Sequence, residues 1–334
     1  MTAFVKPQQF PIARTSAGHA PLRRPGSIRR TTSIDSDWPE GWGKPWEMIG
    51  RARDLYTPAD GSPAQVLAAA QFRLMSSPQR EIMSLETDPD HPGVPGMIGV
   101  RAGAASRGAL VEHMGDIVGT PLFQVLDDFA GASLVAGWIW TRWMDNWHER
   151  TGDGSKLARR SMVAICTGFA PGGSAFAPDG VTFNPNQSSA EVGPLEHPDD
   201  PLSWHTMPFQ KGPQKRRSRR IDLWREGDVI RVDAAFQDSG STPDGGRVAV
   251  HEYRVYAEVA AATGELLSLQ ALPMILPYAE CPGASVKASR LVGTQTADLR
   301  QTVIDELRST LGCTHLNDVL RALADVPALA RQLG

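Results

Sequence analysis

The chain has 334 residues, 41% hydrophobic and 21% charged, an ordinary globular composition and enough length for two units with cores of their own. A formal net charge of −3 argues against nucleic acid or an anionic membrane surface as its partner. No apolar run reaches the roughly 18–20 residues of a membrane span. The three cysteines (Cys166, Cys281, Cys313) are odd in number and far apart, so the expected compartment is a reducing cytoplasm rather than one that forms a disulfide framework.

In chain order, residues 1–27 carry Pro, Arg and Ser without the apolar stretch of a secretory signal, and read as a disordered or loosely draped arm. The first structured element opens at Arg29-Arg30-Thr31-Thr32-Ser33-Ile34-Asp35. A close copy, Arg216-Arg217-Ser218-Arg219-Arg220-Ile221-Asp222, stands 187 positions on (Arg29 to Arg216). Further landmarks recur in the same order: Thr57-Pro58 with Thr242-Pro243, Phe72 with Tyr253, His91-Pro92-Gly93 with Cys281-Pro282-Gly283, and Val125-Leu126 with Val319-Leu320. The offset drifts between 181 (Phe72 to Tyr253) and 194 (Val125 to Val319), as loop insertions between retained elements would cause. The expected organisation is therefore α+β with an internal tandem duplication, one copy over 28–131 and one over 216–334, packed as a pseudo-dimer.

Each copy follows one plan. In the second, Asp228 to Phe236 and Arg247 to Val259 alternate apolar and polar residues at period two, and Thr263-Gly264 turns the chain into Leu266 to Leu276. That predicts an antiparallel three- to four-stranded meander. Helices follow from about Ser285, from about Thr296 and from near Cys313, the last with Leu316, Val319, Leu320 and Leu323 at helical spacing. Between the copies, 132–215 holds a tryptophan-rich helix, with Trp140, Trp143 and Trp147 on one stripe, and a long Pro/Gly-rich connection read as a lid or a solvated loop. The Lys215–Arg220 cluster reads as a solvated approach to a strand, and one of Asp127 and Asp128 is expected to pair with Arg142.

The chemistry gathers at Gly312-Cys313-Thr314-His315, where thiol and imidazole stand two residues apart at a helix start. His251 on the central strand and Cys281 after the last strand can reach the same sheet edge. Together, His251, Cys281, Cys313 and His315 compose a His2Cys2 set suited to Zn or Fe. The competing readings are a Cys313 nucleophile with His315 or His251 as its base, and a buried structural cluster with no chemistry. The other copy is an internal control: Ala70, His91, Gly119 and Pro121 stand at the corresponding positions, so three of the four reactive side chains are missing there. Dinucleotide, P-loop, serine-hydrolase elbow and His-Glu-x-x-His motifs are all absent from the sequence.

Pro277-Tyr278 with Cys281-Pro282, Arg290-Leu291-Val292-Gly293 and Gly312-Cys313-Thr314-His315-Leu316 resemble the signature of a bacterial domain family of unknown function. The resemblance covers about 216–325, with the first copy a degenerate relative, and implies an Arg-Arg strand and a sheet histidine, here His251. The order of strands, helices and a late Cys/His pair is also distantly similar to iron–sulfur scaffold domains of the IscU/NifU type, which implies a metal role for Cys281, Cys313 and His315. The expectation is thus a cytoplasmic metal- or thiol-dependent enzyme acting on a hydrophobic small molecule, with no nucleic-acid or membrane partner. The alternative is a non-catalytic binding module or accessory subunit.

Overall fold

A computed structural model describes residues 7–145, 162–177, 184, 187–208 and 211–333. Its frame is one antiparallel nine-stranded sheet in the order β4-β3-β2-β1-β6-β7-β8, the outer edge of β8 being shared by β5 and β9. The strands are β1 (Ser27–Asp37), β2 (Trp46–Thr57), β3 (Gln65–Ser76), β4 (Ile82–Asp88), β5 (Ala190–Glu191), β6 (Gln214–Glu226), β7 (Val229–Ser241), β8 (Arg247–Ala260) and β9 (Leu266–Ile275). Each meander is followed by helices on one face: α1 (Ala104–Met114), α2 (Pro121–Asp127), α3 (Phe129–Leu134) and α4 (Trp140–Trp143) after the first, then α5 (Gly283–Lys287), α6 (Leu299–Glu306), α7 (Thr314–Ala322) and α8 (Val326–Ala330) after the second. Period-two alternation accounts for the strands. In β8, Tyr253, Val255, Ala257 and Val259 are buried while Arg254, Tyr256 and Glu258 are partly exposed.

The two meanders meet edge to edge through β1 and β6. Their register pairs Arg29 with Asp222, Thr32 with Arg219 and Asp35 with Arg216. Arg29 Nε donates to Asp222 at 2.6 Å, and Arg216 Nε to Asp35 at 2.5 Å, so the same kind of contact occurs twice with its partners exchanged.

The apolar core is divided accordingly. One cluster, with Met48, Phe72, Phe123 and Trp140, lies under the first meander, and another, with Phe236, Tyr253, Leu316 and Val319, under the second. A seam of buried ion pairs separates them: Arg30 with Asp54 and Asp325, Arg217 with Asp238 and Asp318, Arg219 with Asp128, Arg321 with Asp127. The partners of Asp127 and Asp128 are therefore Arg321 and Arg219, not Arg142, which donates to Ser189.

The Lys215–Arg220 cluster is likewise not solvated. Lys215, Arg217, Arg219 and Arg220 are each no more than 2% exposed, because β6 is central in the sheet and covered on both faces. Burying cations there requires matched carboxylates, and every one of the four has an ion pair with an aspartate.

The face away from the helices is covered in its middle by the N-terminal arm and the connecting loop. Residues 7–26, expected as part of a disordered or loosely draped arm, follow a defined path: Phe10 bonds Ala279, Thr15 bonds Met274, and Arg23 grips Asp200. His205 is buried between Thr31 and Ser33, 2.8 Å from each hydroxyl. The tryptophan-rich segment is not one long helix. It breaks at Val135 into α3, a 3-10 turn and the four-residue α4, and Trp147 lies outside the described residues. Trp140 is buried against Trp38 and Trp42. Among the described residues, no single helix is long and apolar enough to cross a membrane.

Candidate metal centre

The site forms where β7, β8 and the start of α7 converge. Asp238 lies directly across from His251 in the β7–β8 ladder, and a bulge shifts the register at the next step, from Asp238/His251 to Ser239/Ala249. Such an irregularity re-aims the flanking side chains. From the helix layer, Cys313 is the N-cap residue of α7, and His315 follows inside its first turn. The rings of His251 and His315 stack at 3.5 Å between centroids with 13° between planes. His315 Nε2 is 3.5 Å from Asp238 Oδ2, and one ligand atom each from Asp238, His251 and His315 can be chosen so that all three lie within 4.8 Å of one another.

All three side chains are buried, and two of their atoms have no hydrogen-bond partner, His251 Nδ1 and His315 Nε2. A buried polar atom left unpaired is costly, so two around one point call for an explanation. Ionisation favours a ligand set. Burial pulls His315 down to about 4 and His251 well below its ordinary value, which keeps both imidazoles neutral. Burial opposes the charge on Asp238, but Arg217 and Lys215 outweigh it and hold the carboxyl far below the usual range. Neutral imidazoles and an ionised carboxylate are the forms that bind metal. Lys215 touches the same aspartate, and burial pulls its ammonium down to about 8 despite that partner.

The four residues singled out by the sequence do not form one ligand set. His251 and His315 come together. Cys313 stands on the other side of the imidazole, its Sγ 3.9 Å from His315 Nδ1. Cys281 is next to Cys166: a Cβ placed on Gly168 would fall 2.5 Å from the sulfur of Cys281 and 3.9 Å from that of Cys166. Among the described residues, the group of potential ligands includes neither Cys281 nor Cys313. All three cysteines are free and buried, and burial raises the thiol of Cys313 and pushes that of Cys166 up to about 12.

Sequence reasoning missed Asp238 and Lys215. A signal for the first was available, because the repeat that pairs Arg30 with Arg217 also sets Asp54 against Asp238, and each aspartate takes that arginine in the structure. The ladders also refine the match on the third strand. Asp54 lies across from Ala68, as Asp238 lies across from His251, so the residue in the place of His251 is Ala68 and Ala70 takes that of Tyr253.

Residues 215–329 match the model of a family described as a protein of unknown function, DUF2889. No curated protein and no solved structure matches the chain.

Proposed function

We propose that this protein is a fused pair of like units, that the second unit holds one divalent transition metal through Asp238, His251 and His315, and that it is a metal-dependent enzyme acting on a small, mainly hydrophobic molecule. The observation behind this is the gathering of two buried imidazoles with a carboxylate, each ring carrying one nitrogen without a hydrogen-bond partner. Two imidazoles and one carboxylate suit Zn or Fe. Three protein donors leave coordination positions for water or substrate, as in catalytic sites, whereas structural zinc sites are usually closed by four. One aromatic ring, Phe236, stands 6.2 Å from the His315 ring centroid and is the apolar neighbour this reading assigns to an apolar substrate.

The duplication is supported by the exchanged Arg29–Asp222 and Arg216–Asp35 pairs and by the contact between Asp127 and Arg321, which correspond to each other in the repeat. In place of an iron–sulfur scaffold site we put a mononuclear one, because the histidines gather with a carboxylate while Cys281 lies beside Cys166.

Metal analysis of protein purified without chelator tests the reading: about one ion per chain is expected, and His251→Ala or His315→Ala should weaken binding by at least about tenfold. A dication beside Lys215 favours the neutral amine, so affinity should climb with pH up to about 8. Metal-free protein that takes up no ion on titration would sink the proposal and leave a non-catalytic binding module.

A second reading has its own observation. Cys313 Sγ is 3.9 Å from His315 Nδ1, and His315 Nε2 is 3.5 Å from Asp238 Oδ2, the sequence of contacts of a nucleophile, base and orienting acid. The raised thiol of Cys313 counts against it, since the thiolate is the nucleophile. Alkylation at Cys313 that abolishes turnover while metal content is unchanged would favour this reading.

A further inference from the structure

The first unit has a cavity where the second has its cluster. Its volume is about 540 Å³, within the roughly 300–1,000 Å³ typical of small-molecule sites. Ala68, Ala70, Gly119 and Pro121 line it, and these are the counterparts of His251, Tyr253, Cys313 and His315. Two imidazoles, a phenol and a thiol are thus replaced by two methyl groups, a hydrogen and a pyrrolidine ring; at Gly119 the opposite wall closes in, since a Cβ there would fall 2.9 Å from that of Ala328, and the remaining space forms the cavity. Asp54, at the place of Asp238, also lines the cavity, but it offers no free charge: Arg30 donates to both of its carboxylate oxygens at 2.6 Å. The far wall comes from the second unit, through Ala328 and Arg331.

The polar groups at the mouth limit the occupant. His91 is engaged, with Nε2 3.2 Å from Asp116 and Nδ1 accepting from the Gly93 amide. Arg331 is exposed and has no ion-pair partner among the described residues. Its planar fork suits a carboxylate, which it can bind through two parallel hydrogen bonds. Asp90 also stands at the mouth and would favour an amine.

We propose that this cavity is a binding site for a small apolar molecule with a carboxylate head, its body against Ala68, Ala70 and Pro121 and its head on Arg331. The site is separate from the metal centre and does not depend on it.

The test uses the full chain and 1-anilinonaphthalene-8-sulfonate, an apolar anion whose fluorescence reports burial. Saturable binding of about one probe per chain is expected, displaced by decanoate much better than by decanol or decylamine. Ala70→Phe should cut probe affinity at least about tenfold by filling the cavity, and Arg331→Glu about three- to tenfold by removing the head-group contact. Ala68→Phe, at a half-buried position nearer solvent, covers the case in which Ala70→Phe fails to fold. Decylamine displacing the probe better than decanoate would overturn the head-group assignment. Probe binding unchanged in a folded Ala70→Phe or Ala68→Phe variant would overturn the site. Metal content should stay the same in all three variants, so failure here and failure of the metal reading are distinguishable.

Discussion

Asp54 and Asp238 do the same structural work in two different settings. Each lies at a register shift on the second strand of its meander and takes an arginine from the strand beside it, Arg30 or Arg217. Beyond that pair the two differ. Around Asp238 the third strand and the helix start supply His251 and His315, and Lys215 adds a second cation. Around Asp54 the same positions supply alanine, glycine and proline, and a cavity is left. The arginine–aspartate pair is what both units share, tying β1 to β2 in one and β6 to β7 in the other. The imidazoles occur in one unit only, which sets the proposed metal centre apart from the shared scaffold.

The largest effect expected follows from that shared pair. Asp238→Ala leaves Lys215 without an ion pair and Arg217 with Asp318 alone, both in a fully buried setting. Removing one partner of a buried pair costs about 3–5 kcal/mol, so urea unfolding should show a loss of that size or no folded protein at all. Asp54→Ala should cost less, since it strands only Arg30, and Arg30 keeps Asp325 at 2.8 Å. Equal losses at the two positions would show that Lys215 contributes nothing to the difference.

The histidines give the next effect, through pH. In the metal-free chain burial pulls His315 down to about 4 from its ordinary value of about 6.5, and lowers His251 in the same direction. Between those values the unfolded chain holds more protons, so stability is fully present above about pH 6.5 and drains away as pH falls toward 4, by on the order of 3 kcal/mol for His315 alone. His205, pulled down to about 3, adds to the same slope from the opposite face of the sheet. The measurement is denaturant unfolding at several pH values between 4 and 7. His315→Gln should flatten the dependence, whereas Pro121→Ala, at the counterpart position in the first unit, should leave it alone.

How much of this could be read in the sequence differs between the two layers. The strands of the second meander were legible because a half-buried strand imposes alternation, and α7 because Leu316, Val319, Leu320 and Leu323 fall on one face and Leu316 packs in the core. The meeting of His251 with His315 was legible in outline, since a strand middle and a helix start can share one edge. The ionic seam was not. A run such as Lys215–Arg220 looks solvated until β6 is known to pair with β1, which no local pattern states. Cys281 shares its surroundings with Cys313, Cys166 and Tyr253 rather than with the group formed by Asp238 and the imidazoles, a difference that sequence order does not fix.

The smallest effect belongs to a position at the mouth of the first unit's cavity, where the partner rather than the histidine is open to water. In the repeat, His91 answers Cys281. Cys281 is buried beside Cys166, whereas His91 reaches out to Asp116, whose side chain is 71% exposed. His91 Nδ1 accepts from the Gly93 amide, so Nε2 gives Asp116 a single hydrogen bond, to a carboxylate open to water, and the contact contributes at most about 1 kcal/mol. Asp116→Ala should therefore shift the unfolding midpoint little. Cys281→Ser, by contrast, places a hydroxyl among apolar neighbours and should cost about 1–3 kcal/mol irrespective of salt. If Asp116→Ala proved as costly as Cys281→Ser, the mouth of the first unit's cavity would be a tightly packed structural element rather than an open rim, and binding there would require it to move.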